Sequence, residues 1–362
     1  MKKILILVGT RPNFIKVTQF KAESEKWPEI DVKIVHTGQH FDHNMAGVFF
    51  EQFSLRPDYF LEIGPGSPNS QIAHIMLKLE ELCLNEYPPN LLIVPGDVNS
   101  TLAGSLVANK MGIKLAHLES GLRSFDRQMP EEINRLLTDE ISDINFITEI
   151  SGEINLINEK KKGKNFFVGN TMIDTLVAYK KEINRSTILT HLSLDSQEYV
   201  LVTIHRPSNV DDLDGLLKLK ELFDFLTDQY KVVFPIHPRT VMRMKEFGIY
   251  DQFTSNKNLI LVDPLAYFEF QKLIKHSKLI LTDSGGIQEE STFLRIPCLT
   301  LRENTERPST IEEGTNTLVP FDVELIKSYI HSIEKGTYKT GVIPKYWDGK
   351  ATQRIMKIIS KL

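Results

Sequence analysis

Short apolar runs, each giving way to a helical pattern at a glycine, proline or polar turn, recur along nearly the whole chain. This alternation narrows the available folds more than any other feature. The runs stand at residues 4–8, 32–37, 91–94, 115–117, 145–148 and 166–168. Between them Ile75, Met76, Leu79 and Leu82 recur at helical spacing until Pro88 and Pro89, and residues 101–111 read as another helix. Repeated strand-helix units of this length imply a parallel sheet with helices on both faces. The pattern restarts after a Lys-rich patch at 160–164, a helical stretch at 172–183 and a polar connection at 184–198. Further strands are then expected at 199–203, 232–236, 259–262, 279–281 and 297–300. The expected architecture is α/β, with two Rossmann-like doubly wound domains at residues 1–171 and 172–345. The amphipathic segment 346–362 is expected to pack back on the first domain.

Composition supports this reading and removes several classes. A chain of 362 residues, 41% hydrophobic, can bury a sizeable core and divide in two. With 43 basic and 47 acidic side chains the net charge is −4, which suggests neither nucleic acid nor an anionic membrane surface as partner. Cys83 and Cys298 lie far apart in apolar surroundings, as in a reduced, cytoplasmic chain. The apolar run at 4–8 is too short for a signal peptide, and nothing approaches the ~18 apolar residues of a membrane span. The histidines lack zinc-binding spacing and there is no Cys pair, so no metal site is expected.

Doubly wound domains collect ligands beyond the carboxyl ends of their strands. In the first half that edge carries Arg11 and Lys16, then His40, Asp97, Glu119, Arg123 and Glu131. In the second half it carries His205 and Arg206, His237 and Arg239, the turn Ser284-Gly285-Gly286, and Arg307. Gly285 and Gly286 let backbone approach a ligand closely, and the free N–H groups of the helix that follows attract a phosphate. Arg302, Glu303, Glu306 and Arg307 form a loop whose guanidiniums suit a pyrophosphate. Taken singly, each has an ordinary explanation: Asp97 as a helix cap, Glu131 as a first-turn carboxylate, His237 as a satisfied strand-end histidine. Taken together they point to one site, in a cleft formed by two such edges facing each other.

The segments GTRPNFIK (9–16), HTGQHFDHNM (36–45), PGDVNSTLAG (95–104), HLESGLRSFDRQMPEEINRLLTD (117–139), GNTMID (169–174), DSGGIQEE (283–290) and NTERP (304–308) resemble the non-hydrolysing UDP-N-acetylglucosamine 2-epimerase family. The resemblance implies a glycosyltransferase-B-like pair of domains with the active site in the interdomain cleft, a homodimer, and no cofactor. It also implies reversible conversion of UDP-N-acetylglucosamine to UDP-N-acetylmannosamine for surface polysaccharide synthesis. The chemistry can be argued separately. Inverting a sugar carbon whose hydrogen is not acidic requires transient oxidation or elimination of a neighbouring leaving group. The first turn reads GTRPNF and lacks G-x-G-x-x-G, which argues against a nicotinamide. Elimination of UDP and its re-addition to a glycal require carboxylates near C2 and C1, and cations on the diphosphate.

Carried over by residue, the resemblance implies catalytic roles for Asp97, Glu119, Glu131 and His205. Substrate binding falls to Arg11, Lys16, His237, Ser284, Gly285, Gly286, Glu290 and Arg307, with Glu290 on the uridine ribose. Two positions depart from the family pattern, Asn13 and Ser208, each neutral where a carboxylate is common. This keeps open an epimerase of UDP-2,3-diacetamido-2,3-dideoxyglucuronate, since a like charge beside a substrate carboxylate is costly. A UDP-sugar glycosyltransferase of the same fold is a further alternative. Gln39 and His40, followed by Phe41-Asp42-His43, match imperfectly the segment through which some members bind an allosteric second substrate molecule.

Overall fold

A computed structural model describes residues 1–38 and 50–362. The chain divides into two compact units, Met1–Ala178 with Lys345–Leu362, and Tyr179–Pro344. Among the described residues no helix is long and apolar enough to cross a membrane.

In the first unit the strands are β1 (Lys2–Val8), β2 (Ile30–His36), β3 (Tyr59–Phe60), β4 (Leu91–Pro95), β5 (Lys114–Leu118), β6 (Ile144–Ile147) and β7 (Lys164–Phe167). They form one parallel sheet in the order β3-β2-β1-β4-β5-β6-β7. Strands covered on both faces read as unbroken apolar runs, which is why the runs were visible in the sequence. Leu5, Leu7, Leu92 and Val94 pack with Ile75, Leu79 and Leu82 of the helix Pro68–Asn85 and with Ala103 and Val107 of the helix Asn99–Met111.

The C-terminal segment belongs to this unit. Asp174, on the helix Thr171–Ala178, accepts from the Ala351 and Thr352 amides at 3.0 and 2.6 Å, capping the helix Ala351–Ser360. Trp347 is fully buried and donates to the Thr148 carbonyl at 3.0 Å. These ties draw the helix Thr171–Ala178 into the first unit, so the division falls one helix later than residue 171.

The second unit carries β8 (Tyr199–Thr203), β9 (Lys231–Pro235), β10 (Leu259–Val262), β11 (Leu279–Thr282), β12 (Cys298–Leu301) and β13 (Asn316–Val319), parallel in the order β10-β9-β8-β11-β12-β13. Alternate residues serve opposite faces. Val200, Val202, Val232 and Phe234 pack against the helices Leu213–Thr227 and Val323–Glu334, while Leu201, Val233, Ile280 and Cys298 meet Leu273 and Ile274 of the helix Tyr267–His276. Both sheets reverse strand order beside their first strand, at β1/β4 and at β8/β11. Those are the points where a doubly wound sheet opens a crevice beyond its strand ends.

Candidate active site

Beyond β1 the chain turns into the short helix Arg11–Ile15, which leaves Arg11 exposed and buries Lys16. The Lys16 ammonium lies 2.6 Å from Glu119 Oε2, just past β5. Glu119 is 3% exposed and holds φ at +77°, a left-handed conformation that costs a non-glycine residue roughly 1–2 kcal/mol. Among the described residues its Oε1 has no hydrogen-bond partner. A strained, buried carboxylate with one oxygen paired to an ammonium and the other without a partner among the described residues is a candidate for acid–base chemistry. Gly96, with φ +68°, turns the chain beside this pair; a Cβ there would meet Asn13 Nδ2 and Lys16 Nζ at 3.0 Å.

Asp97 follows this turn, one quarter exposed, and its carboxylate pairs with Arg135. It does not cap the helix Asn99–Met111, whose N-cap is Val98. Arg135 also binds Glu132 at 2.6 Å, and Glu132 accepts from the Ser124 and Phe125 amides at 2.9 and 3.0 Å. Burial pushes the Glu132 carboxyl up, but these donors and Arg135 outweigh it and hold the group below its usual range. Of the adjacent pair on the helix Pro130–Ile141, Glu131 is exposed in the first turn and Glu132 is buried in the network. Arg123 is buried against Asp139 and Glu159, at 2.7 Å each. His40, with residues Gln39–His43 of the family segment, lies outside the described residues.

In the second unit one carboxylate missed in the sequence organises the turn after β8. Asp283 is fully buried and accepts from the His205 and Arg206 amides at 2.8 and 2.7 Å and from Asn209 Nδ2 at 3.1 Å. Its other oxygen stands 2.9 Å from His205 Nδ1. Burial raises the Asp283 pKa, yet the His205 contact and the amides bring it below the usual carboxylate range. Asp283→Ala is expected to destabilise the second unit by about 3 kcal/mol, because the turn's donors lose a charged acceptor. A urea midpoint equal to wild type would show that this knot does not support the unit.

His237 stacks near His205, ring centroids 5.7 Å apart, and its Nδ1 accepts the Arg239 amide at 3.1 Å, so it does cap a helix. Ser284, Gly285 and Gly286 open the helix Gly285–Leu294; a Cβ on Gly285 would meet Arg307 Nη1 and Glu306 Oε1 at 3.0 Å. Arg307 pairs with Glu306 and, at 2.8 Å, with Glu289. Arg302 is 6% exposed, reaches Glu306 at 3.0 Å through Nη2, and leaves Nε and Nη1 without hydrogen bonds among the described residues. Arg307 lies beside the N-terminus of the helix Gly285–Leu294 and is joined to Arg302 through Glu306, donors of the kind that bind an anion. Glu290 is buried beyond them, its carboxyl pushed up to about 8 by desolvation.

A family model described as UDP-N-acetylglucosamine 2-epimerase matches residues 22–360. The chain belongs to the UDP-N-acetylglucosamine 2-epimerase family. It is 42% identical to the UDP-N-acetylglucosamine 2-epimerase of Methanocaldococcus jannaschii, over 99% of both chains. It is 38% identical to the UDP-2,3-diacetamido-2,3-dideoxy-D-glucuronate 2-epimerase of Pseudomonas aeruginosa, over 99% of this chain and 100% of the relative. Among solved structures, the M. jannaschii enzyme in complex with UDP-GlcNAc and UDP superposes with a TM-score of 0.89 at 41% identity, covering 100% of each chain. Membership in this epimerase family makes the chain an isomerase, and its two α/β units agree with a glycosyltransferase-B-like fold.

Proposed function

We propose that this chain interconverts UDP-N-acetylglucosamine and UDP-N-acetylmannosamine, as a cytoplasmic homodimer supplying surface polysaccharide synthesis. A carboxylate removes the C2 proton, the C1–O bond breaks with its electron pair leaving on UDP, and a C1–C2 double bond forms. UDP then adds back to C1 as a proton is delivered to the opposite face of C2. The observation that carries this reading is Glu119, whose buried Oε1 has no hydrogen-bond partner among the described residues while Lys16 holds Oε2 at 2.6 Å. Asp97, braced by Arg135, and the exposed Glu131 serve as the further carboxylates, and His205 works at the diphosphate end of the substrate. Arg302 and Arg307 with the amides of Gly285 and Gly286 take the diphosphate, Arg11 and His237 add contacts at the open edge, and Glu290 takes the ribose.

The diacetamido-glucuronate reading has a relative in its favour. Asn13 does not add to it. This side chain is 2% exposed, accepts from Thr10 Oγ1 at 2.8 Å and donates to the Pro95 carbonyl at 3.0 Å, so its amide is used within the fold. Ser208 is exposed and remains the position where a lost charge could matter to a substrate.

Proton NMR of the purified protein with UDP-N-acetylglucosamine in deuterated water, without NAD or metal, tests the proposal. A growing UDP-N-acetylmannosamine anomeric signal with deuterium at C2 is expected. Free sugar and UDP would instead indicate a hydrolysing enzyme. Turnover of the diacetamido-glucuronate nucleotide alone would transfer the assignment to that substrate.

A further inference from the structure

The turn Pro95-Gly96-Asp97, which presents one of the working carboxylates, is gripped at each of its three carbonyls by a side chain from elsewhere. Pro95 O accepts from Asn13 Nδ2 at 3.0 Å and from Thr101 Oγ1 at 2.8 Å. Gly96 O faces His117 Nε2 at 2.8 Å, and Asp97 O accepts from Asn134 Nδ2 at 2.8 Å. The Gly96 amide donates to Leu118 O at 2.9 Å, closing the turn against β5.

His117 differs from the other grips because its protonation can be read from its partners. A carbonyl oxygen only accepts, so Nε2 must carry a proton. Nδ1 lies 2.6 Å from Asp139 Oδ1. The other Asp139 oxygen accepts from the Gly121 amide at 3.1 Å and pairs with Arg123 Nη1 at 2.7 Å, contacts that favour the ionised carboxylate. Burial raises the Asp139 pKa, but His117 and Arg123 outweigh it and keep the group below its usual range. Nδ1 therefore donates as well, and the fully buried ring is an imidazolium. The charged groups around it are Asp139 in contact, Arg123 and Glu159 behind that carboxylate, and the Lys16–Glu119 pair at the end of the same strand.

We propose that His117, held doubly protonated between Asp139 and the Gly96 carbonyl, is a positioning residue that aims the Asp97 carboxylate for epimerisation. It spans three elements, β5, the turn after β4 and the helix Pro130–Ile141, and it links the backbones that carry Asp97 and Glu119. A neutral imidazole would satisfy one side only and leave either the Gly96 carbonyl without His117 or Asp139 Oδ1 without a donor. The inference rests on the epimerase reading for its kinetic part alone.

The test uses the full chain, in three measurements. With 15N-histidine labelling, both His117 nitrogens are expected to be protonated in wild type, and the ring is expected to be neutral in Asp139→Asn. A neutral ring in wild type would overturn the proposal. In His117→Asn, amide exchange at residues 96–98 is expected to rise at least tenfold while the second unit is unchanged. Unchanged exchange at the turn would also overturn it. Kinetically, His117→Asn is expected to lower kcat about 10²-fold, the usual effect of a misplaced catalytic group, with KM within about threefold. A wild-type kcat in this variant, with wild-type turnover established, would sink the positioning role. If wild type itself shows no turnover while ring and exchange behave as expected, the clamp stands and the epimerase reading fails.

Discussion

Glu119→Gln is expected to keep its fold and lose about 10³-fold in turnover of UDP-N-acetylglucosamine, within the range for removal of a positioned acid or base. The amide keeps the size of the side chain and still offers an oxygen to Lys16, so structure should survive where proton transfer does not. Lys16→Met should behave differently. It leaves a carboxylate 3% exposed with neither oxygen paired to a cation, and breaking a buried pair in this way costs about 3–5 kcal/mol. Removing both charges avoids that penalty, so the double variant Lys16→Met, Glu119→Gln should recover most of the lost stability while remaining inactive. Calorimetric melting of the three variants decides the matter. Equal destabilisation of the double variant and Lys16→Met would mean that packing of the lysine stem, not the ion pair, sustains the site. Turnover by Glu119→Gln near the wild-type rate would remove Glu119 from the chemistry altogether.

The second large effect concerns Glu290 and pH. Its carboxyl is raised from the ordinary 4.5 to about 8, first by desolvation, with the neighbouring Glu289 adding to it and Gln271 opposing it. Between those two values the folded state holds a proton that the unfolded state releases. Stability from this group is therefore complete below about 4.5 and is lost as pH rises towards 8. Glu290→Gln removes the titration but keeps a neutral, hydrogen-bonding side chain. The stability of this variant relative to wild type should increase by about 3–4 kcal/mol from pH 5 to pH 8. Urea unfolding of both proteins at the two pH values measures it, and a gap that does not change with pH would show that Glu290 is already ionised in the fold.

The strands were legible in the sequence because parallel strands buried on both faces leave continuous apolar runs. The two that were not read are those where this signal fails. β3 is two residues long, and β13 opens on Asn316, a polar side chain buried by hydrogen bonds from Thr300 at 2.6 Å and to Gln288 at 3.1 Å. Among candidate site residues, the turn 284–286 and Lys16 are legible in the sequence because glycines and basic residues at strand ends are visible locally. Asp283 stands inside the same DSGG segment but was passed over, since nothing local shows that its carboxylate turns back to the loop after β8. Of the adjacent Glu131 and Glu132, only helix phase relative to Arg135 and Ser124 distinguishes the exposed member from the buried one.

The sequence by itself determined the α/β class, the restart of the pattern that makes two units, and the strand ends where polar residues collect, because periodicity and turn chemistry act between near neighbours. The tertiary structure alone decided which charges meet. Lys16 finds Glu119, Asp97 finds Arg135, and His117 finds Asp139 across 103, 38 and 22 residues of chain. Such pairs are set by strand order and by the register of parallel strands, β1 beside β4 and β4 beside β5, and no spacing along the chain encodes that order. Tertiary packing also decided burial and its partners: burial raises the Glu290 carboxyl, while at Asp139 the contacts with His117 and Arg123 outweigh it and lower the group.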